Sequence, residues 1–149
     1  MATIRWMQTK DLDFVTSIEL KNNEFYSTRD DIINLLRRKS VVGIVALEEE
    51  EIIGFIIYEL MNRRIQMLDM GVHQDYHKKG IGSFMINELK DNLSPKKRTK
   101  ISVEVRETNL GFQLFLQKNN FLAIEVLKDY FPDTNEDAFV MSYILPAQK

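Results

Sequence analysis

Cysteine is absent from all 149 residues, which excludes disulfide frameworks, cysteine-ligated zinc, iron–sulfur clusters and cysteine nucleophiles together. Histidine is nearly as scarce. His73 and His77 are the whole supply, too few for a multi-histidine metal site, so no metal is expected. No apolar run approaches the roughly 20 residues that a membrane-crossing helix needs. Met1-Ala2-Thr3-Ile4-Arg5-Trp6 lacks the basic-then-apolar build of a signal peptide. The expectation is a cytoplasmic protein with no membrane partner. Basic charge is not in excess either: 20 Lys+Arg against 22 Asp+Glu leave a formal net charge of -2. That argues against a nucleic-acid partner, whose binding is usually driven by a basic surface. The local cluster Lys96-Lys97-Arg98 with Lys100 reads as a solvated turn after a helix. Repeats, low-complexity tracts and Gly/Ser linkers are missing too, so 1–149 is expected to form one domain.

What is present is ordinary globular material. The chain is 44% hydrophobic and 28% charged, long enough to bury a core without metals or crosslinks. Thr9 is placed to cap a first helix carrying Phe14, Val15 and Ile18 at helical spacing. Ser27 or Thr28 can cap a second helix, with Asp31 completing a capping box if Thr28 is the cap, and with Ile32, Ile33, Leu35 and Leu36 along it. Val41 to Leu47, Ile52 to Leu60 and Ile65 to Val72 read as strands joined by short turns, an antiparallel meander. The period then changes: Ile81, Phe84, Met85 and Leu89 share a helical face that Ser94-Pro95 ends. Thr99 to Arg106 alternates, with Ile101, Val103 and Val105 on one side and Ser102, Glu104 and Arg106 on the other. Asn109 to Lys118 reads as a helix with Asn119-Asn120 available for a left-handed cap. Phe121 to Tyr130 and Ala138 to Leu145 close the chain as strands. The order β-α-α-β-β-β-α-β-α-β-β describes an α+β layer on a largely antiparallel sheet.

The most informative stretch is Val72-His73-Gln74-Asp75-Tyr76-His77-Lys78-Lys79-Gly80-Ile81-Gly82-Ser83. A strand runs into a loop that opens a helix, whose first amides lack partners and whose dipole attracts anions. Gly80 and Gly82 keep side chains away from those amides, and Lys78 and Lys79 add positive charge at the rim. This describes a pyrophosphate cradle, although a short Gly-x-Gly alone also fits a plain tight turn. The P-loop ending Gly-Lys-Ser/Thr is absent. The third glycine of the dinucleotide fingerprint is absent too.

Two further stretches accompany the loop: Glu104-Val105-Arg106-Glu107-Thr108-Asn109 before Asn120-Phe121, and Lys128-Asp129-Tyr130-Phe131-Pro132 before Glu136-Asp137-Ala138. With His77-Lys78-Lys79-Gly80-Ile81-Gly82 they resemble the GNAT superfamily of N-acetyltransferases. The likeness is closest to the ribosomal-protein alanine and protein N-terminal acetyltransferases, and is sharpest from Val72 to Ile144. It implies the acyl-CoA N-acyltransferase fold, a mixed, mostly antiparallel seven-stranded sheet flanked by about four helices. It also implies acetyl-CoA as cofactor, with coenzyme A as product. Met70, Gly71, Val72, His77, Lys78, Lys79, Gly80, Ile81, Gly82, Ser83, Asn109, Phe112 and Leu116 are then the cofactor contacts, and the amide near Val72 faces the oxyanion. Glu104 becomes the general base. Glu24, Phe25, Tyr26 and Tyr130 fall where relatives hold the acceptor.

The sequence departs from the family pattern in places. His77 stands for Gln or Arg, Gln74 for a frequent proline, and Asn120 for glycine. More consequential is Leu116, in the position of a tyrosine that protonates the departing thiolate. Leucine has no proton to give, which leaves three outcomes: Tyr130 supplies it, solvent supplies it, or the protein is slow or inactive.

An amine attacks a thioester only as the free base, and an α-amino group (reference pKa about 8) loses its proton more readily than lysine (about 10.4). The expectation is therefore an acetyltransferase acting on a primary amine, a protein or peptide N-terminus first. A small amine such as a polyamine or aminoglycoside is an alternative acceptor, and a catalytically weak acyl-CoA-binding module is an alternative role. The assembly is expected to be a monomer or homodimer.

Overall fold

The computed structural model describes residues 1–22, apart from the side chain of Asn22, and residues 27–147. The elements follow the expected order: β1 (Thr3–Trp6), α1 (Leu12–Asn22), α2 (Arg29–Leu36), β2 (Val41–Glu48), β3 (Glu51–Leu60) and β4 (Arg64–Val72). After them come α3 (Ile81–Asp91), β5 (Lys100–Arg106), α4 (Leu110–Lys118), β6 (Leu122–Phe131) and β7 (Glu136–Ile144). The seven strands lie in the order β1-β2-β3-β4-β5-β7-β6. The pairs β1–β2, β2–β3, β5–β7 and β6–β7 are antiparallel. β4 and β5 are parallel, which requires a crossover, and α3 supplies it. Among the described residues no helix is long and apolar enough to cross a membrane.

Two compact units emerge from the packing: Met1–Leu60 with Leu68–Glu88, and Met61–Met67 with Leu89–Lys149. The first is built around Leu12, Val15, Ile18, Ile32, Val41, Val45, Phe55 and Ile57, all buried in one cluster. Two details of α1 differ from the sequence expectation. A short 3-10 turn, Thr9–Asp11, precedes the helix, and its cap is Gln8, not Thr9. The Asp11 carboxylate accepts the Gln8 N–H at 2.7 Å and the Arg5 guanidinium at 2.7 and 2.9 Å, so the bend is fixed by an ion pair. Phe14 is exposed. The buried stripe is Asp11, Leu12, Val15, Ile18 and Glu19, which leaves Phe14 about 100° around the helix from its centre. Phe84 of α3 is displaced from its stripe in the same way, while Ile81, Met85, Ile86 and Leu89 are buried. Thr28 caps α2 as expected: its hydroxyl accepts the Asp31 N–H and Asp31 accepts the Thr28 N–H.

In the second unit β5 takes a central place, registered Arg64↔Lys100 to Gln66↔Ser102 with β4 and Lys100↔Ile144 to Arg106↔Ala138 with β7. Ile101, Val103 and Val105 are buried as the alternation required. The opposite side is less wet than alternation suggests: Ser102 is buried and bonds Ser142 hydroxyl to hydroxyl at 2.7 Å. Asn120 takes the left-handed conformation, φ 69°, that ends α4.

Gly71, near the end of β4, marks the tightest contact of the first unit. A Cβ there falls 2.7 Å from Phe55 Cε1 and 3.0 Å from Ile18 Cγ2, and Phe55 is completely buried. Gly71→Ala is expected to lower stability by about 1–3 kcal/mol through overpacking. The measurement is a lower denaturation midpoint at an unchanged denaturant slope.

Candidate active site

The loop between β4 and α3 belongs to the first unit and carries Met70, Gly71, Val72, His77, Lys78, Lys79, Gly80, Ile81, Gly82 and Ser83 on one continuous strand–turn–helix path. His77 closes it: its Nε2–H donates to the Val72 carbonyl at 2.8 Å, tying the turn back to the strand end. Because a carbonyl only accepts, this bond also selects the tautomer. Lys78 (φ 63°) and Gly80 (φ 81°) both adopt the left-handed conformation. Such turns point successive amides to one side as an anion-binding concavity. α3 then begins with Phe84 N–H donating to the Gly80 carbonyl at 2.9 Å. Among the described residues, no hydrogen bond outside the regular elements draws on the amides of residues 78–83. A Cβ at Gly80 meets nothing within 4 Å, so the space in front of the turn is open. These features fit a diphosphate.

The second unit carries the groups able to move protons. Glu104 is exposed on β5, and the Tyr130 phenol stands beside its carboxylate. That neighbour first, and partial burial next, raise the phenol above its ordinary ionisation range. The sequence leaves open a pairing of Glu104 with Arg106. The structure instead commits Arg106 to the β6–β7 turn, with Asp133 at 3.0 and 3.1 Å, Thr134 at 3.2 Å and Glu136 at 3.4 Å. Its guanidinium also stacks 4.0 Å over the Phe131 ring. The next two residues do similar work. Glu107 accepts the Asp137 N–H at 2.9 Å, and Thr108 donates to the Glu136 carboxylate.

Arg106, Glu107 and Thr108 therefore form a clamp on the turn behind Tyr130. A bulge aims the ring: the register passes from Leu127↔Ala138 to Phe131↔Glu136, and Asp129 has φ 48°. Extra residues on one strand bend it and redirect a side chain. Asp133, Glu136 and Asp137 are all held below the ordinary carboxylate range. The first causes are the Arg106 bond, the Thr108 bond and the Asp129 N–H respectively. Groups lowered in this way stabilise the turn above the ordinary carboxylate range, and that contribution is lost as pH falls through their depressed values.

Asn109 caps α4, its Oδ1 accepting the Phe112 N–H at 3.3 Å, and Phe112 stacks on Phe115. Leu116 is completely buried. It is a packing residue here, so the position expected at the cofactor's thiol end offers it no surface. Glu24, Phe25 and Tyr26 lie outside the described residues. Reading the sequence for chemistry missed the clamp, although its three donors and acceptors stand inside the motif that drew attention to Glu104. The signal was there, since neighbouring charged and hydroxyl residues at a strand end commonly serve position before chemistry.

Tyrosinate absorbance tests the pairing of Tyr130 with Glu104. Tyr58 and Tyr76 are raised as well; of the three described phenols expected to ionise above the ordinary tyrosine range in the native protein, Tyr130 alone is expected to return toward it in Glu104→Gln.

With this geometry in place, likeness to known proteins becomes informative. Residues 4–121 match the acetyltransferase (GNAT) family. The chain is 23% identical over 145 residues to the ribosomal protein bS18-alanine N-acetyltransferase of Escherichia coli strain K12, covering 95% of this chain and 97% of that one. It is also 23% identical over 157 residues to an N-alpha-acetyltransferase of Saccharolobus solfataricus, covering 94% and 91%. Arabidopsis thaliana NAA60, crystallised in complex with acetyl-CoA, superposes with a TM-score of 0.81 at 17% identity over 97% of this chain and 98% of that one. Structural likeness at such identity establishes the fold, while the family match, spanning well over half the sequence, establishes more: the protein belongs to the acetyltransferase (GNAT) family.

Proposed function

We propose that residues 1–149 act as a single cytoplasmic catalytic domain that transfers acetyl from acetyl-CoA to a protein or peptide α-amino group. The observation that carries the catalytic part is the placement of the Tyr130 phenol beside the Glu104 carboxylate. It joins an acid and a base, and it favours turnover over a cofactor-binding role without chemistry. The α-amine is favoured by the functions of the relatives and by its lower deprotonation cost.

The open turn at residues 77–83 holds the diphosphate through main-chain donors, with Lys78 and Lys79 adding charge. Amides at Gly71 and Val72 receive the acyl oxygen, the Met70 N–H being held by Asp69 Oδ1, and Asn109 and Phe112 meet the pantetheine arm. Bound there, acetyl-CoA supplies an activated thioester. Glu104 takes a proton from the attacking amine, directly or through one water. Tyr130 delivers a proton to the departing sulfur in place of the missing tyrosine at 116, and recovers it from Glu104. The balance is one acyl–sulfur bond broken, one acyl–nitrogen bond formed, and one proton passed from nitrogen to sulfur. A raised phenol ionisation range suits this task, because Tyr130 stays protonated wherever the α-amine is free.

Thiol release from acetyl-CoA, measured against panels of N-terminal peptides and small amines, tests the reading. Free thiol is expected with peptides and not with polyamines or aminoglycosides. A melting temperature raised by acetyl-CoA, with no thiol from any acceptor, shows a binding module instead.

Glu104→Gln is expected to cut kcat by about 10²–10⁴-fold with acetyl-CoA affinity nearly unchanged. Gly80→Ala strains the left-handed turn by about 1–2 kcal/mol. It is expected to weaken acetyl-CoA binding roughly tenfold in calorimetry.

A further inference from the structure

The proposed chemistry leaves one buried acidic pair without a role. Glu19, on α1, is 1% exposed, and Asp69 stands on β4 two residues before Gly71. Each carboxyl has one oxygen committed: Glu19 Oε1 accepts the Ser27 N–H at 3.1 Å, and Asp69 Oδ1 accepts the Met70 N–H at 2.8 Å. The other oxygens, Glu19 Oε2 and Asp69 Oδ2, are shielded from solvent and have no donor among the described residues. The side chains are nonetheless hydrogen-bonded to each other.

Two carboxylates cannot make that bond, since both only accept. One proton between them satisfies both orphan oxygens at once. No lysine, arginine, histidine or third acid among the described residues contacts either carboxyl. Ser27, ahead of α2, and the Met70 amide of β4 are the polar neighbours. α1 and β3 bring apolar Ile18 and Phe55 against the adjoining Gly71. No cation among the described residues offsets a second negative charge, and the Met70 N–H and the Ser27 hydroxyl oppose the rise only in part, so burial first and the Glu19 bond next push Asp69 up to about 9.

We propose that Glu19 and Asp69 share a single proton and act as positioning residues for acetyl transfer, fixing the Met70 peptide of β4 and the Ser27 amide that leads into α2. This rests on the assignment of the Gly71 and Val72 amides, which follow that peptide, to the acyl oxygen. Losing the proton sets two buried negative charges side by side, and the two peptides they hold are released.

The sign of the linkage follows. The unfolded chain ionises Asp69 in the ordinary aspartate range while the folded chain keeps the proton. Its stabilisation is therefore full below that range and declines as pH rises, until the folded group itself ionises near 9. Asp69→Asn replaces the proton with a permanent N–H donor to Glu19.

Wild type, Asp69→Asn and Asp69→Ala are compared by melting temperature against pH, by the infrared band of a protonated carboxyl, and by kcat/KM against pH. In the Asn variant the band seen in wild type at neutral pH is expected to vanish. Its melting temperature should exceed that of wild type by several degrees at mildly alkaline pH, the gap closing in acid. The ratio of wild-type to Asn kcat/KM should fall about tenfold per pH unit above the ionisation; the acceptor amine titrates identically in both and cancels. Asp69→Ala, with no donor to offer, should not reproduce the flat profile of the Asn variant. Hydrogen exchange at Ser27 and Met70 should be faster in wild type than in Asp69→Asn above the ionisation, and this reads positioning without any acceptor.

No protonated-carboxyl band and parallel melting profiles overturn the shared proton. A flat kcat/KM ratio, or equal exchange at both amides, overturns the positioning role. Failure to find an acceptor bears only on the acetyltransfer reading, since the band, the melting profiles and the exchange still decide this one. Should Asp69→Asn not fold, Glu19→Gln is the mirror variant with the same expectations.

Discussion

The clamp from Arg106, Glu107 and Thr108 onto the β6–β7 turn is the constraint on which the chemistry of the second unit depends. Tyr130 sits on a bulged edge strand, 43% exposed, with the Phe131 ring edge-on to its own, so its own packing does little to hold it. An isolated exposed ion pair contributes little to stability, because solvent screens it and long side chains lose entropy. The value of this set is geometric. Three consecutive residues leaving β5 reach four residues of the turn, so the place of the phenol is fixed relative to the strand that carries Glu104. A catalytic hydrogen bond needs that fixity more than it needs affinity.

The same architecture accounts for the tolerance of leucine at position 116. That side chain is sealed in the core of its unit, where leucine serves packing. Under the proposed chemistry the donor belongs to another strand, and the clamp holds the bulged hairpin that carries it.

Acids are used in two opposite ways in this chain. Asp133, Glu136 and Asp137 are exposed or half-buried, satisfied by several donors each, and more acidic than usual. Glu19 and Asp69 are set among apolar neighbours with too few donors, and burial first, with Glu19 beside it, raises Asp69 far above the ordinary carboxylate range. Burial without a cation costs stability at neutral pH, and such a cost commonly marks a place where conformation matters.

The order of elements was legible in the sequence because it rests on local rules. Period-2 and period-3.6 patterns, the Thr28–Asp31 capping box and the left-handed Asn120 depend on neighbours a few residues apart, as does the glycine-bearing turn that opens α3. The strand–turn–helix path through residues 72–83 was legible for the same reason, since a left-handed glycine turn at a helix start needs no distant partner. Tertiary structure alone decided the rest. It took Arg106 away from Glu104 and gave it to a turn some 27 residues downstream. It buried Leu116, turned Phe14 outward, and brought Glu19 to Asp69 across 50 positions of sequence. Such pairings depend on which strands become neighbours and how a bulge turns one residue, and no pattern within a single segment encodes either.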